Sequence, residues 1–195
     1  MKILDACCGA KMFWYEKELP FVTFQDIRAG VKEYSGGRKI RIEPDHVGDV
    51  TSMDFADEMF DLVIFDPPHM VRAGKTSWLN IKYGKLPEDW ETWVSKAFAE
   101  CFRVLKREGM FVFKWNSTQI PFSKIIKLSP YRPILGDQRA STRWTILWMK
   151  ARTGMMWCCK KSTPLSQRYR GNMQIESLPR SQRTGNAREK MTATL

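Results

Sequence analysis

The run Asp61-Leu62-Val63-Ile64-Phe65, cut off by Asp66-Pro67-Pro68-His69, is the feature that most narrows what this chain can fold into. Its apolar residues do not alternate with polar ones, so the strand they form is covered on both faces, as in a parallel sheet flanked by helices. The two prolines end the pairing, because neither can donate to a ladder and each fixes its own φ. The strand therefore stops abruptly, with an aspartate at its carboxyl end.

The rest of the pattern agrees. Lys2 to Cys8 is a short apolar run, and Gly9-Ala10 leads into a predicted helix over 11–19, stopped by Pro20. Phe21 to Ile27 reads as a second strand carrying Asp26 near its end, and Arg38 to Ile42 as a third strand or the approach to one. Between Glu88 and Arg107, the residues Trp90, Val94, Ala97, Phe98, Cys101, Phe102 and Leu105 recur at helical spacing. Acids come first and Lys106-Arg107 last, an arrangement suited to the helix dipole. Met110 to Trp115 and Trp144 to Met149 read as strands, Phe122 to Leu128 as a short helix, and Gly136 to Thr142 as a hairpin loop. Alternating strands and helices predict an α/β fold: a doubly wound, Rossmann-like, mostly parallel sheet with a C-terminal antiparallel hairpin.

That domain spans residues 1–150. Residues 151–195 carry nine Lys or Arg against two Glu, are rich in Ser, Thr, Gln, Asn and Gly, and are expected to form a basic, mostly disordered tail. The whole chain has a formal net charge of +11, which favours polyanionic partners, nucleic acid above all. Five cysteines without a Cys-x-x-Cys spacing, and only two histidines, argue against a metal site and for reduced thiols. No leader pattern and no apolar stretch near the roughly 20 residues of a spanning helix are seen, so a cytoplasmic protein is expected.

In an open parallel sheet, ligands bind beyond the carboxyl ends of the strands. Asp5-Ala6-Cys7-Cys8-Gly9 forms a small-residue turn where backbone can approach a cofactor closely, and Asp26, one βαβ step later, is an acid suited to ribose hydroxyls. At Asp66-Pro67-Pro68-His69, the carboxylate and the Pro67 carbonyl form a rigid pair of acceptors. Twin acceptors suit an exocyclic amino group, whose lone pair is delocalised into its ring until both hydrogens are held out of plane. His69 can stack on a base lifted from its helix. The 70–87 loop, with Arg72, Lys75, Trp78 and Tyr83, interleaves basic and aromatic side chains as phosphate contact and base stacking require. Lys114 and Trp115, at another strand end, border the same cleft.

In order and type, Asp5 to Gly9, Asp26-Ile27, Gly48-Asp49-Val50 and Phe60 to Pro68 resemble the class I S-adenosylmethionine-dependent methyltransferases. Phe65 to His69, Arg103 to Lys106, Phe113 to Asn116 and Trp144 to Lys150 are similar, more narrowly, to small phage and prophage DNA methylase-like proteins. The resemblance covers residues 1 to about 150. It implies S-adenosylmethionine as cofactor, with Asp5, Ala6, Cys7, Cys8 and Gly9 near its methionine part, Asp26 and Ile27 at the ribose, and Asp49 and Val50 beside the adenine. It makes Asp66 to His69 the catalytic motif of an amino-methyltransferase acting on adenine N6 or cytosine N4 of DNA. Lys11 stands where the family's loop has glycine and His69 where it has Tyr or Phe, and no large target-recognition domain is inserted. Competing readings are ribose 2′-O-methylation of RNA through Asp66 and Lys114, a small-molecule or protein amine as acceptor, and a non-catalytic module that binds cofactor or nucleic acid.

Overall fold

The computed structural model describes residues 1–150 apart from 35, 75–76 and 137–142. The expected tail and most of the expected 136–142 loop therefore lie outside the described residues, as does Lys75.

Among the described residues there are nine strands: β1 (Ile3–Asp5), β2 (Val22–Asp26), β3 (Gly30–Tyr34), β4 (Arg38–Ile42), β5 (His46–Val47), β6 (Phe60–Phe65), β7 (Leu105–Asn116), β8 (Leu135–Gly136) and β9 (Arg143–Met149). Seven of them form one sheet in the order β5-β2-β1-β6-β7-β9-β8, and β3 and β4 form a separate antiparallel hairpin. Strands β5, β2, β1, β6 and β7 pair in parallel, β9 runs antiparallel to β7, and β8 antiparallel to β9. The predicted α/β, Rossmann-like sheet with its antiparallel end is thus the observed fold. Its direction of growth reverses between β1 and β6, the topological switch point at which ligands of such sheets bind.

The helices are α1 (Trp78–Tyr83), α2 (Trp90–Val104) and α3 (Phe122–Ile125), the last continued by a 3-10 turn over Ile126–Leu128. α2 buries Val94, Ala97, Phe98, Cys101, Phe102 and Val104, the stripe its spacing predicts. It ends before Arg107, because Leu105 is already extended and fully buried as the first residue of β7. The surplus residues are taken up as a bulge: the β6–β7 register jumps from Phe60↔Leu105 to Leu62↔Met110. Gly109 makes this possible, since a Cβ there would stand 2.7 Å from Leu105 Cδ1 and 2.9 Å from the Lys106 carbonyl.

The predicted helix over 11–19 does not form; turns and bends fill residues 9–21. Lys11 adopts φ 54, outside the helical region. Met12, Phe13, Trp14 and Tyr15 are consecutive, so one helical face cannot bury them all; Trp14 goes inward while Tyr15 is fully exposed.

Candidate active site at the carboxyl edge of the sheet

Ala6 and Cys7 follow β1, Asp26 ends β2, Gly48 to Val50 follow β5, and Asp66 to Pro68 follow β6, so all four segments emerge at one edge of the sheet. They line a cavity of about 300 Å³ together with Ile27, Arg28, Tyr83 to Pro87 and Trp93. That volume is at the lower end of small-molecule sites. The roof is Tyr83 to Pro87, tied down by the Leu86 N–H donating to the Met70 carbonyl at 2.9 Å. Gly84, with φ 80, lets this roof close, because a Cβ there would stand 3.1 Å from Pro68 Cγ.

The Asp26 carboxylate is fully engaged. Oδ2 accepts from the Gly9 N–H at 2.8 Å and from Arg28 Nη2 at 3.2 Å; Oδ1 accepts from the Arg28 N–H at 2.9 Å and Arg28 Nε at 3.0 Å. Gly9 thus acts through its backbone, as a clamp between the turn after β1 and the end of β2. Arg28, absent from the sequence reading, covers the aspartate expected to meet a ribose. Its Nη1 is buried without a partner among the described residues and lies 3.5 Å from where a Cβ on Gly84 would be. Gln25 Oε1 is the other buried orphan, 3.3 Å from a Cβ placed on Gly48. A donor and an acceptor without partners beside two cavity-lining glycines are what a ligand bearing both kinds of hydrogen-bonding group would satisfy.

Asp5 points to the face of the sheet covered by the 9–21 segment, outside the cavity lining. It is buried, accepts from the Trp14 indole N–H at 2.7 Å, and burial pushes its carboxyl from the ordinary 3.8 up to about 7, against the lowering effect of Trp14. Cys8 is likewise buried on that face with Ile3, Val22, Phe24 and Ile64, and burial pushes the thiols of Cys7 and Cys8 up. Neither thiol is therefore a ready nucleophile. Asp49 turns its carboxylate onto the Thr51 N–H at 2.8 Å and hydroxyl at 2.9 Å, shaping the loop while Val50 packs into the core.

Asp66 is ion-paired through Oδ2 with Lys114 Nζ, its neighbour across the β6–β7 register. Burial raises its carboxyl above the usual range in spite of Lys114 and His69. Pro67 is buried, and His69, whose pKa burial lowers, holds its ring 6.1 Å from Tyr83 and edge-on to Trp115 at 6.4 Å. Trp115, expected to border the cleft, is 2% exposed and gives its indole N–H to the Ile120 carbonyl at 3.1 Å, a core residue whose ring meets His69. Phe13, which the sequence did not single out, does reach it: Lys114 Nζ sits 4.7 Å from its half-exposed ring. Arg72 and Trp78 stand outside the cavity, Arg72 held by its N–H on Gln119 Oε1 at 2.8 Å and Trp78 at the start of α1. Lys11 faces Asp45 at 3.8 Å and the Phe24 ring at 4.0 Å, away from the cavity.

Among the described residues no group of three or more His, Cys, Asp or Glu is placed to hold a metal ion, and no helix is long and apolar enough to cross a membrane.

No family model and no curated protein matches this sequence. Solved structures do match. The PH0226 protein of Pyrococcus horikoshii OT3 superposes with a TM-score of 0.50 at 15% identity, over 76% of this chain and 81% of that one. A SAM-dependent methyltransferase from Methanosarcina mazei gives 0.48 at 12% identity over 77% and 92%. The 1,6-didemethyltoxoflavin-N1-methyltransferase of Burkholderia thailandensis, with bound S-adenosylhomocysteine, gives 0.44 at 12% identity over 76% and 70%. At these identities the likeness is one of fold, the α/β Rossmann-like sheet described above.

Proposed function

We propose that the chain is an S-adenosylmethionine-dependent methyltransferase acting on an exocyclic amino nitrogen of a nucleic acid base, adenine N6 of DNA ahead of cytosine N4. One observation carries the reading: at the switch point, a single cavity is shared by the segments expected to hold the cofactor (Ala6-Cys7, Asp26-Ile27, Asp49-Val50) and by Asp66 and Pro68 of the motif expected to hold the amine.

The cavity fits such a cofactor by its chemistry, with Asp26 at a strand end and orphaned polar atoms on Gln25 and Arg28. When bound, the cofactor supplies an electrophilic sulfonium methyl. The protein's part is positioning and electrostatics. Asp66 and the Pro67 carbonyl accept the two amino hydrogens, which frees the nitrogen lone pair from the ring. Lys114 holds Asp66 by Oδ2 and leaves Oδ1 for the amine. Asp66 is also the group to take the proton the nitrogen sheds after methylation; a carboxyl whose pKa burial raises is the better acceptor. Neutral His69, with Tyr83 beside it, offers a ring to the base.

The Lys114–Asp66 pair also belongs to the second reading, ribose 2′-O-methylation of RNA. That chemistry calls on a second lysine and a glutamate around the pair, and neither is in ion-pair contact with it among the described residues.

The test is transfer of labelled methyl from S-adenosylmethionine to duplex DNA, single-stranded DNA and RNA in parallel, followed by nucleoside mass spectrometry. N6-methyladenine or N4-methylcytosine in DNA supports the proposal. Label on ribose, or none on any nucleic acid alongside measurable cofactor binding, overturns it.

A further inference from the structure

The β3–β4 hairpin is inserted between β2 and β5, starting four residues after Asp26 and ending four residues before His46. Its root is therefore the cavity wall itself, and α1, which ends at the cavity roof, packs beside β3. The register pairs Gly30 with Ile42, Lys32 with Ile40 and Tyr34 with Arg38 on one face, and Val31 with Arg41 and Glu33 with Lys39 on the other. Ile40 and Ile42 are buried and seat the first face, while Val31, Glu33, Lys39 and Arg41 are exposed on the second, with Lys32 and Arg38 exposed beyond the seat. Four basic side chains thus project from ten strand residues against the single acid Glu33. Arg41 pairs with Glu43 at 3.0 Å; Lys32, Arg38 and Lys39 have no acidic partner among the described residues.

A strand pair has no need of such a charge to fold; uncompensated like charges on a small ribbon oppose it. We propose that this hairpin is the arm that grips the phosphate backbone of the nucleic acid, in place of a recognition domain. It rests on the reading of a nucleic acid acceptor. A five-residue ribbon is about 16 Å long, against phosphates spaced about 3.4 Å along the axis on each strand, so it spans several phosphates, and its cations, two on each face, can reach them from both sides of the ribbon. The exposed Trp78 and the half-buried Lys82 of α1, with Lys82 Nζ 5.7 Å from the Trp78 ring, continue the basic and aromatic surface from the hairpin onto the roof.

The experiment measures DNA and RNA binding by the full chain across a salt series, with methyl transfer in parallel, for the wild type, for the triple variant Lys32→Ala/Arg38→Ala/Lys39→Ala, and for Glu33→Lys. The triple variant is expected to bind DNA 10- to 100-fold more weakly at about 0.1 M salt and to flatten the slope of log K against log salt by about 2 to 3. Its cofactor affinity and its rate at saturating DNA stay unchanged. Glu33→Lys binds more tightly by about 3-fold, which damage to the hairpin could not produce. Wild-type slope and affinity in the triple variant, with DNA bound normally, overturn the hairpin's role and leave the acceptor reading standing. No binding of DNA or RNA by the wild type overturns both. Hairpin-dependent binding confined to RNA upholds the arm and overturns DNA as its partner.

Discussion

The two faces of the main sheet are built differently. Under α2, the first face is a continuous aromatic core: Phe98 packs on Phe113 at 5.1 Å and Phe65 at 5.8 Å, Phe102 on Phe111 at 4.8 Å, and Phe113 stacks on Trp115 at 5.9 Å. The second face has a small apolar cluster of Ile3, Cys8, Val22, Phe24 and Ile64, roofed among the described residues by the irregular 9–21 segment through Trp14 and Leu19. Asp5, Asp66 and Lys114 alternate onto this thin face, where Asp66 raises the pKa of Asp5 and Lys114 pairs with Asp66. A close-packed layer supplies stability without polar atoms, and the face with little packing accepts buried charge.

The largest effect expected from this contrast is on stability. Phe98→Ala should cost about 3–5 kcal/mol in chemical denaturation, and Phe24→Ala on the thin face clearly less; equal losses would remove the distinction. Asp5 comes next. Folding raises its pKa above the unfolded value, so the native state holds the extra proton, and the stability this gives is fully present below pH 4 and lost as pH rises through about 7. Asp5→Asn keeps an acceptor for Trp14 and should flatten that decline, gaining roughly 2–4 kcal/mol at pH 8. A smaller effect concerns Arg28. It holds Asp26 and offers its unpartnered Nη1 to the ligand, so Arg28→Ala should bind S-adenosylmethionine up to about 10-fold more weakly in calorimetry and melt lower without it, since a buried carboxylate loses its cation. Wild-type affinity in the variant would mean that Nη1 meets no part of the cofactor.

Much of this was legible in the sequence. The unalternating run before Asp66 and the spacing of α2 locate the sheet centre and its thick cover, because burial on both faces and helical periodicity are local patterns. The 11–19 helix fails because Lys11 and the run of consecutive aromatics obey a tertiary demand, Trp14 on Asp5 and Phe24, that no local pattern displays. The β3–β4 hairpin was half visible: Arg38 to Ile42 alternates, but Gly30 to Tyr34 has few apolar residues, since its pairing is antiparallel and largely exposed. At the site, the strand-end acids could be named, and Lys114 with Asp66 in the 2′-O reading, but not the cover of Asp26: Arg28, two residues on, folds back onto it through the turn after β2.

The most direct measurement is methyl transfer by Asp66→Ala alongside its S-adenosylmethionine affinity. With the acceptor for the amine removed, the expected result is a loss of about 100- to 1,000-fold in turnover, with cofactor binding within about 2-fold of wild type. Full turnover by the variant would contradict the role given to the Asp66 carboxylate.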